Sequence, residues 1–378
     1  MEKYSAFRDP GTGIQPFLTP LPPSDSNIVL NITLPLRYLL GVLRTGIVVI
    51  LASLYTVLVE GICSILLPIP PLYRAVTYVL TAILCRFALF ILGFLWIPVE
   101  TVTRKRGRVG KTEESWTPRA GDLIVSNWVS WIEILWLAFR FNPVFVLPVS
   151  SQITPLPASR ESTPVMKTPG RRTGTGSAAI HSTSTRSANT PIPITGFRRV
   201  SLLSIICATG QVPLLDSAAK ASSLEELRKT VDRPIVVFPE CTTSNGRGLL
   251  RFAEIFTDRH VPIKGYKVFV MCIRYDPPTA FSPTPSHSIP TSSNPLPHLF
   301  ELATALKPLT ASVRLLSMSE SPSSPSFLVN EVTSGDFGRD PLSSACGALI
   351  AQLGKLKRVG MGWEDKAAFL SFYHEKRK

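Results

Sequence analysis

The sequence predicts an α/β domain with a buried sheet flanked by helices, preceded by an N-terminal hairpin of two apolar helices. Three observations carry this. From residue 122 onward, short apolar runs of strand length alternate with helix-period segments. Between residues 45 and 97 lie two apolar runs, each above the ~20 residues that cross a hydrocarbon layer. Only 17% of the 378 residues are charged, and the mean hydropathy is +0.21, where an average soluble domain carries roughly 25% charge. This composition excludes a wholly disordered chain and argues against an ordinary soluble enzyme.

Residues 1–36 hold Asp9, Pro10, Gly11, Gly13, Pro20, Pro22 and Pro23, which predicts a disordered cytosolic tail. Residues 37–100 predict the hairpin. The run at 45–67, TGIVVILASLYTVLVEGICSILL, is broken by Glu60, and the run at 75–97, AVTYVLTAILCRFALFILGFLWI, by Arg86. Between them, Pro68, Pro70 and Pro71 turn the chain back. Arg37 and Arg44 precede the first run, and Arg104, Lys105, Arg106, Arg108 and Lys111 follow the second. The positive-inside bias therefore places both outer ends in the cytosol. Glu60 and Arg86 are offset by roughly 9 Å along a hairpin of 1.5 Å rise per residue, so they do not neutralise each other. A wedge dipping into one leaflet explains them as well as two full spans.

Residues 101–378 predict the α/β domain. Strands are expected at 122–127, 144–149, 211–216, 235–240 and 267–275. Helices are expected at 130–140, 201–210 and 222–231, the last opened by a capping box of Ser222 with Glu225. Ser/Thr/Pro-rich stretches at about 150–195, 277–297 and 317–326 predict disordered inserts. The first is basic, with Arg160, Lys167, Arg171, Arg172 and Arg186, and suits an anionic lipid surface.

The formal net charge of +14 does not predict a nucleic-acid partner, because it is not interleaved with aromatics in a recognisable module. The 6 cysteines form no CxxC pair, so no metal site is expected.

The most informative segment is FPECTTSNGR at 238–247. A buried strand runs into a loop with one carboxylate, several hydroxyls, an amide, a glycine and a guanidinium. Such a loop supplies donors for an anion and a fixed carboxylate; a capped turn before a helix at Leu249 is the plainer alternative.

This segment closely resembles the FPEGTTSNGR block of the lysophospholipid and 1-acylglycerol-3-phosphate acyltransferases, with Cys241 in place of Gly. VSNWVSWIEIL (125–135) resembles that family's SNHxSxxD block. GQVPLLD (210–216) resembles its second block, with Ser217 where Arg is usual. VMCIRYDP (270–277) resembles its fourth. LGKLKRVGMGWEDKAAFLSFY (353–373) resembles the tail of a fungal branch associated with lipid droplets and vacuolar sorting. The resemblance spans about residues 120–275 plus that tail.

The resemblance implies acyl transfer from acyl-CoA, as co-substrate with no bound cofactor, to a lysophospholipid hydroxyl, lysophosphatidate foremost. It implies membrane lipid as a further partner, and the cytosolic face of the endoplasmic reticulum membrane or a lipid droplet as location. The family's general-base His and its supporting Asp fall on Trp128 and Glu133. An indole N–H only donates and cannot take up a proton, so Glu133 is expected to act as the base or to orient one. Substrate binding falls on Glu240, Cys241, Thr242, Thr243, Asn245, Gly246 and Arg247 with Gly210 and Asp216, Arg247 taking the acceptor's phosphate. Three readings follow: an acyltransferase with a changed base, a catalytically dead relative that binds lysophospholipid or acyl-CoA and regulates, or a hairpin-anchored lipid-droplet scaffold.

Overall fold

The computed structural model describes residues 4–23, 28–103, 116–150, 191–215, 221–256, 261–332 and 340–375. Helices α1 (Ile28–Tyr55) and α2 (Pro70–Ile91) form the hairpin, joined by a π-helical turn at Thr56–Gly61 and a 3-10 turn at Ile62–Leu66. Pro70 and Pro71 open α2, where the missing N–H groups cost nothing.

The domain follows as β1 (Val99–Val102), β2 (Leu123–Ser126), α3 (Ile132–Phe141), β3 (Val144–Ser150), β4 (Ile194–Val200), α4 (Leu202–Ala208), β5 (Leu214–Leu215), α5 (Leu224–Thr230), β6 (Ile235–Val237), β7 (Gly248–Leu249), β8 (Val268–Tyr275), α6 (Leu296–Ala303), β9 (Ala311–Leu316), α7 (Pro341–Gly354), β10 (Lys357–Arg358) and α8 (Trp363–Glu375). The main sheet runs β1-β9-β8-β2-β6-β3-β4, with β5 beside β3. Its four central strands, β8, β2, β6 and β3, are parallel, while β9 and β4 join antiparallel to them.

Alternation along these strands builds two cores. Ile124, Val236, Phe269 and Met271 face one core with α3, α6 and part of α2. Leu123, Val125, Ile235, Val237 and Val270 face the other, under α7. Strands buried on both faces read as unbroken apolar runs, which is how the sequence shows them.

Several expectations are corrected. Residues 4–23 are not a loose tail: Phe7 and Phe17 are buried, with ring centroids 5.3 and 5.6 Å from Phe369 of α8. Asp9 closes the turn there, accepting from the Thr12 amide at 2.8 Å and the Gly360 amide at 2.9 Å. Apolar burial and satisfied polar groups outweigh the proline content. The 277–297 segment is likewise packed, with Thr284, Ser286, His287 and Ser288 buried. In the third expected insert, Ser317 and Ser321 are buried. Of the first, β4 takes residues 194–195, and 151–190 lie outside the described residues. The capping box is Ser223 with Glu226, one residue later than expected. Gly248 and Leu249 pair with β10 in a small parallel sheet rather than starting a helix.

The hairpin lies along the domain for its whole length. Near its tip, Arg74 pairs with Asp232 at 2.7 Å. Midway, the Tyr78 hydroxyl donates to the Arg140 carbonyl at 3.4 Å. At the base, Arg44 donates to the Ala303 and Ala305 carbonyls. Arg86 caps the chain just beyond α2, donating to the Phe94 and Leu95 carbonyls at 3.0 and 2.6 Å. The outward face stays bare and apolar, with Ile50, Val57, Ile65, Val79, Ile83, Phe87 and Trp96 among its exposed side chains.

Candidate active site

The carboxyl ends of parallel strands are where an α/β sheet gathers its loops, and four sequence segments meet there. Trp128 follows β2, Glu133 sits in the first turn of α3, the 238–247 loop follows β6, and Tyr275 ends β8. Glu133 is 1% exposed. One of its oxygens accepts from the Val129 amide and, at 2.8 Å, from the Ser130 amide. The other accepts from the Tyr275 hydroxyl at 2.5 Å. This carboxylate, in the first turn of α3, ties down the loop that leads into the helix, while the N-cap residue, Trp131, makes no side-chain capping bond. Burial raises its pKa to about 7, with the Tyr275 hydroxyl and the Ser130 and Val129 amides opposing.

Trp128 is buried, its ring stacked on Phe238 at 4.8 Å. Its amide donates to Glu240 Oε1 at 3.3 Å, and its carbonyl accepts from the Ser244 amide at 3.0 Å. Among the described residues its indole Nε1 has no hydrogen-bond partner, and neither does Glu240 Oε2. Burial drives the Glu240 carboxyl well above the usual carboxylate range; the Trp128 and Leu250 amides and Lys366 oppose this, and Glu133 adds to it. Cys241 takes a left-handed conformation, φ 57°, where the family block has a Gly that adopts it freely. Burial pushes its thiol well up.

The hydroxyls of the loop are occupied within the fold. Thr242 donates to the Gln211 carbonyl at 2.7 Å and Thr243 to the His287 carbonyl at 2.6 Å. The Asn245 side chain donates to the Gln15 and Leu18 carbonyls at 2.7 and 2.8 Å. Gly246, at φ 74°, passes so close to Val129 that a Cβ would lie 3.1 Å from it. Gly210, at φ 87°, leaves the same margin to the Pro290 nitrogen. Arg247 stands apart from the buried carboxylates, exposed and with no side-chain partner among the described residues. Asp216 lies outside the described residues.

Five residues that the sequence reading left out of the site converge on it: Tyr275, His287, Asn294, His298 and Lys366. The His287 amide donates to the Val129 carbonyl at 2.9 Å, and its ring lies 4.6 Å from that of His298. Asn294 directs its NH2 at the Cys207 and Thr209 carbonyls. Its oxygen therefore accepts from His287 Nε2, 2.5 Å away, which leaves Nδ1 with the lone pair. Burial lowers the His287 pKa to about 4, with Asn294 opposing and Lys366 adding. His298 accepts from the Trp131 indole at 2.9 Å and donates to the Thr284 carbonyl at 3.0 Å. Burial takes its pKa to about 3.

Lys366 of α8 is 0% exposed and donates to the Thr243 carbonyl at 2.6 Å. Burial drives its ammonium well below the usual range, against the pull of Glu240. Neither it nor His287 was legible: one opens a helix beside acidic residues, the other sits in a Ser/Pro-rich stretch.

No family model matches the sequence, and no curated protein matches it either. Among solved structures, the chain is similar to the 1-acyl-sn-glycerophosphate (LPA) acyltransferase PlsC of Thermotoga maritima, at 14% identity and a TM-score of 0.42, over 84% of this chain and 96% of that one. The fungal branch finds no support in these comparisons.

Proposed function

We propose that the chain transfers an acyl group from acyl-CoA to the hydroxyl of a lysophospholipid, lysophosphatidate first, at the carboxyl ends of β2, β6 and β8. The observation that supports this is the direct bonding of sequence-distant blocks: Tyr275 to Glu133, and Trp128 to Glu240. In the reaction, the acceptor hydroxyl attacks the thioester carbonyl, a C–O bond forms, the C–S bond breaks, and the hydroxyl proton leaves with the CoA thiolate. Glu133 already accepts from three donors, so we read it as a positioning residue. The proton acceptor is His287, neutral at pH 7 with Nδ1 unprotonated. Arg247 offers its free guanidinium to the acceptor's phosphate. The apolar face of the hairpin holds the protein on the cytosolic surface of the endoplasmic reticulum or a lipid droplet.

A second reading, lipid binding without turnover, draws on how completely the loop is covered. Residues 15–18, the 277–297 segment and Lys366 all bond to it, and the cavity touching Trp128 is only about 10 Å³. Acyl-CoA and a lysophospholipid panel offered to the detergent-purified full chain separate the two. Transfer that falls by ~10²-fold or more in His287→Gln supports the first reading. Lysophospholipid binding with no product supports the second. Neither product nor binding sinks both.

A further inference from the structure

At the opposite end of the parallel strands, between the hairpin and the domain, lies a polar cavity of about 470 Å³. Arg233, just before β6, and Arg199, on β4, are among its lining residues, with one acidic lining residue, Glu60, and Asp232 paired to Arg233 behind it. Arg233 is only partly committed: Nη1 donates to Asn142 Oδ1 at 3.1 Å. Its buried Nε forms an ion pair with Asp232 Oδ1 at 3.6 Å and makes no hydrogen bond among the described residues. Thr81, 1% exposed, also lines the cavity; its hydroxyl faces that of Tyr55 and makes no other hydrogen bond among the described residues. Buried donors left without acceptors are uncommon in folded proteins and call for a ligand or water. The π-helical turn at Thr56–Gly61 contributes Val59 and Glu60 to the wall, and such turns concentrate at functional sites.

This cavity abuts a second one. Tyr55 and Leu202 line both, and beyond them runs an apolar groove of about 400 Å³ between α1, α2 and the domain, walled by Val48, Leu84, Leu135 and Leu299. Both volumes fall in the range of small-molecule sites. A polar chamber rich in cationic donors, opening onto an apolar slot under a membrane-facing hairpin, matches one ligand chemistry: a phosphate head on a single acyl chain.

We propose that this hairpin–domain cleft binds a phosphate-headed single-chain lipid, with the head held by Arg233, Arg199 and the Thr81 hydroxyl and the chain lying in the groove past Tyr55. The polar end of the site is separate from the loop carrying Glu240, while the far end of the groove reaches Trp131 and Asn294, the partners of His298 and His287. Arg233 and Glu240 flank the two ends of β6, seven residues and so roughly 20 Å apart along an extended chain. It goes beyond acyl transfer and does not require it.

The test uses the full chain in detergent with a lysophosphatidate probe bearing a diazirine in its acyl chain. Peptides around residues 48–56 and 202–207 are expected to be labelled, and a monoacylglycerol probe with a neutral head to label them at least ten-fold less. Arg233→Met is expected to lower the labelling at least ten-fold. Glu60→Gln, which removes the one lining carboxylate, is expected to raise it. Arg247→Ala is expected to leave it in place. If Arg233→Met fails to fold, Arg199→Met and Thr81→Val, which keeps the shape of Thr81, carry the same expectation.

Equal labelling by both heads overturns the proposal. So does labelling that ignores the Arg233 and Glu60 variants, or labelling confined to the loops near Glu133 and Glu240. Excess inorganic phosphate is expected not to displace the probe; displacement would assign the pocket to free phosphate and overturn the lipid assignment.

Discussion

At the residue scale the site is governed by burial of groups that would rather be charged. Glu133 has a folded pKa of about 7 against 4.5 in an ordinary setting. Its favourable contribution to stability is thus present below about pH 4.5 and lost as pH rises through about 7. Tyr275→Phe removes a donor that favours the charged form, so the Glu133 pKa rises further and stability falls by about 1 kcal/mol. Denaturant melts from pH 4 to 8 read this directly. A pH profile identical to the parent's would mean that Glu133 does not titrate there.

His298 runs the other way. Its pKa is about 3 against 6.5, so its contribution is present above pH 6.5 and lost as pH falls through the folded value. The parent's margin over His298→Gln is expected to shrink between pH 7 and 5, at up to about 1.4 kcal/mol per pH unit. A margin that stays constant would show an imidazole titrating normally. The candidate site was legible where residue types cluster in sequence, as in the 238–247 loop. It was illegible at His287 and Lys366, because composition reports how a segment is solvated on its own. It does not report which neighbour buries it.

At the scale of elements, strand-length apolar runs and helix-period segments located β2, α3, β3, α4, α5, β6 and β8 to within a few residues. The runs work because the sheet is buried on both faces. What misled was low complexity. Residues 4–23 and 277–297 are poor in regular structure, yet they fold by packing single aromatics and hydroxyls into places made by distant parts of the chain. Phe17 is the sharpest case, 1% exposed against α8. Phe17→Ala is expected to cost about 3–5 kcal/mol, read as a lowered melting temperature. An unchanged melting temperature would restore the loose tail expected from the sequence.

At the scale of the whole molecule, the way the hairpin lies on the domain bears on the choice between two full spans and an in-plane wedge. Arg74, next to the turn, is paired with Asp232 of the domain, and Arg44, at the other end, with carbonyls beside α6. Two perpendicular spans would drag that polar edge into hydrocarbon, where charges are expensive. An in-plane hairpin, with its exposed apolar face in one leaflet, avoids this. The sequence left the choice open because it shows apolar length but not what the helices lie against. In sealed vesicles, Ile69→Cys at the tip, with the exposed Cys207 changed to Ser, is expected to react with an impermeant maleimide on the domain's own side. Reaction only after permeabilisation would establish two full spans.

The lid over the 238–247 loop also bears on how the protein is made. Asn245 is held by carbonyls 227 and 230 residues earlier in the chain, and Thr243 by an ammonium 123 residues later. Contacts of such long sequence separation close late, because loop entropy must be met before they form. While the chain is being synthesised, the sheet can assemble around β2 and β6 with Glu240 still lacking its cationic neighbour. The loop then takes its final form only when α8 arrives and the amino-terminal segment closes over it.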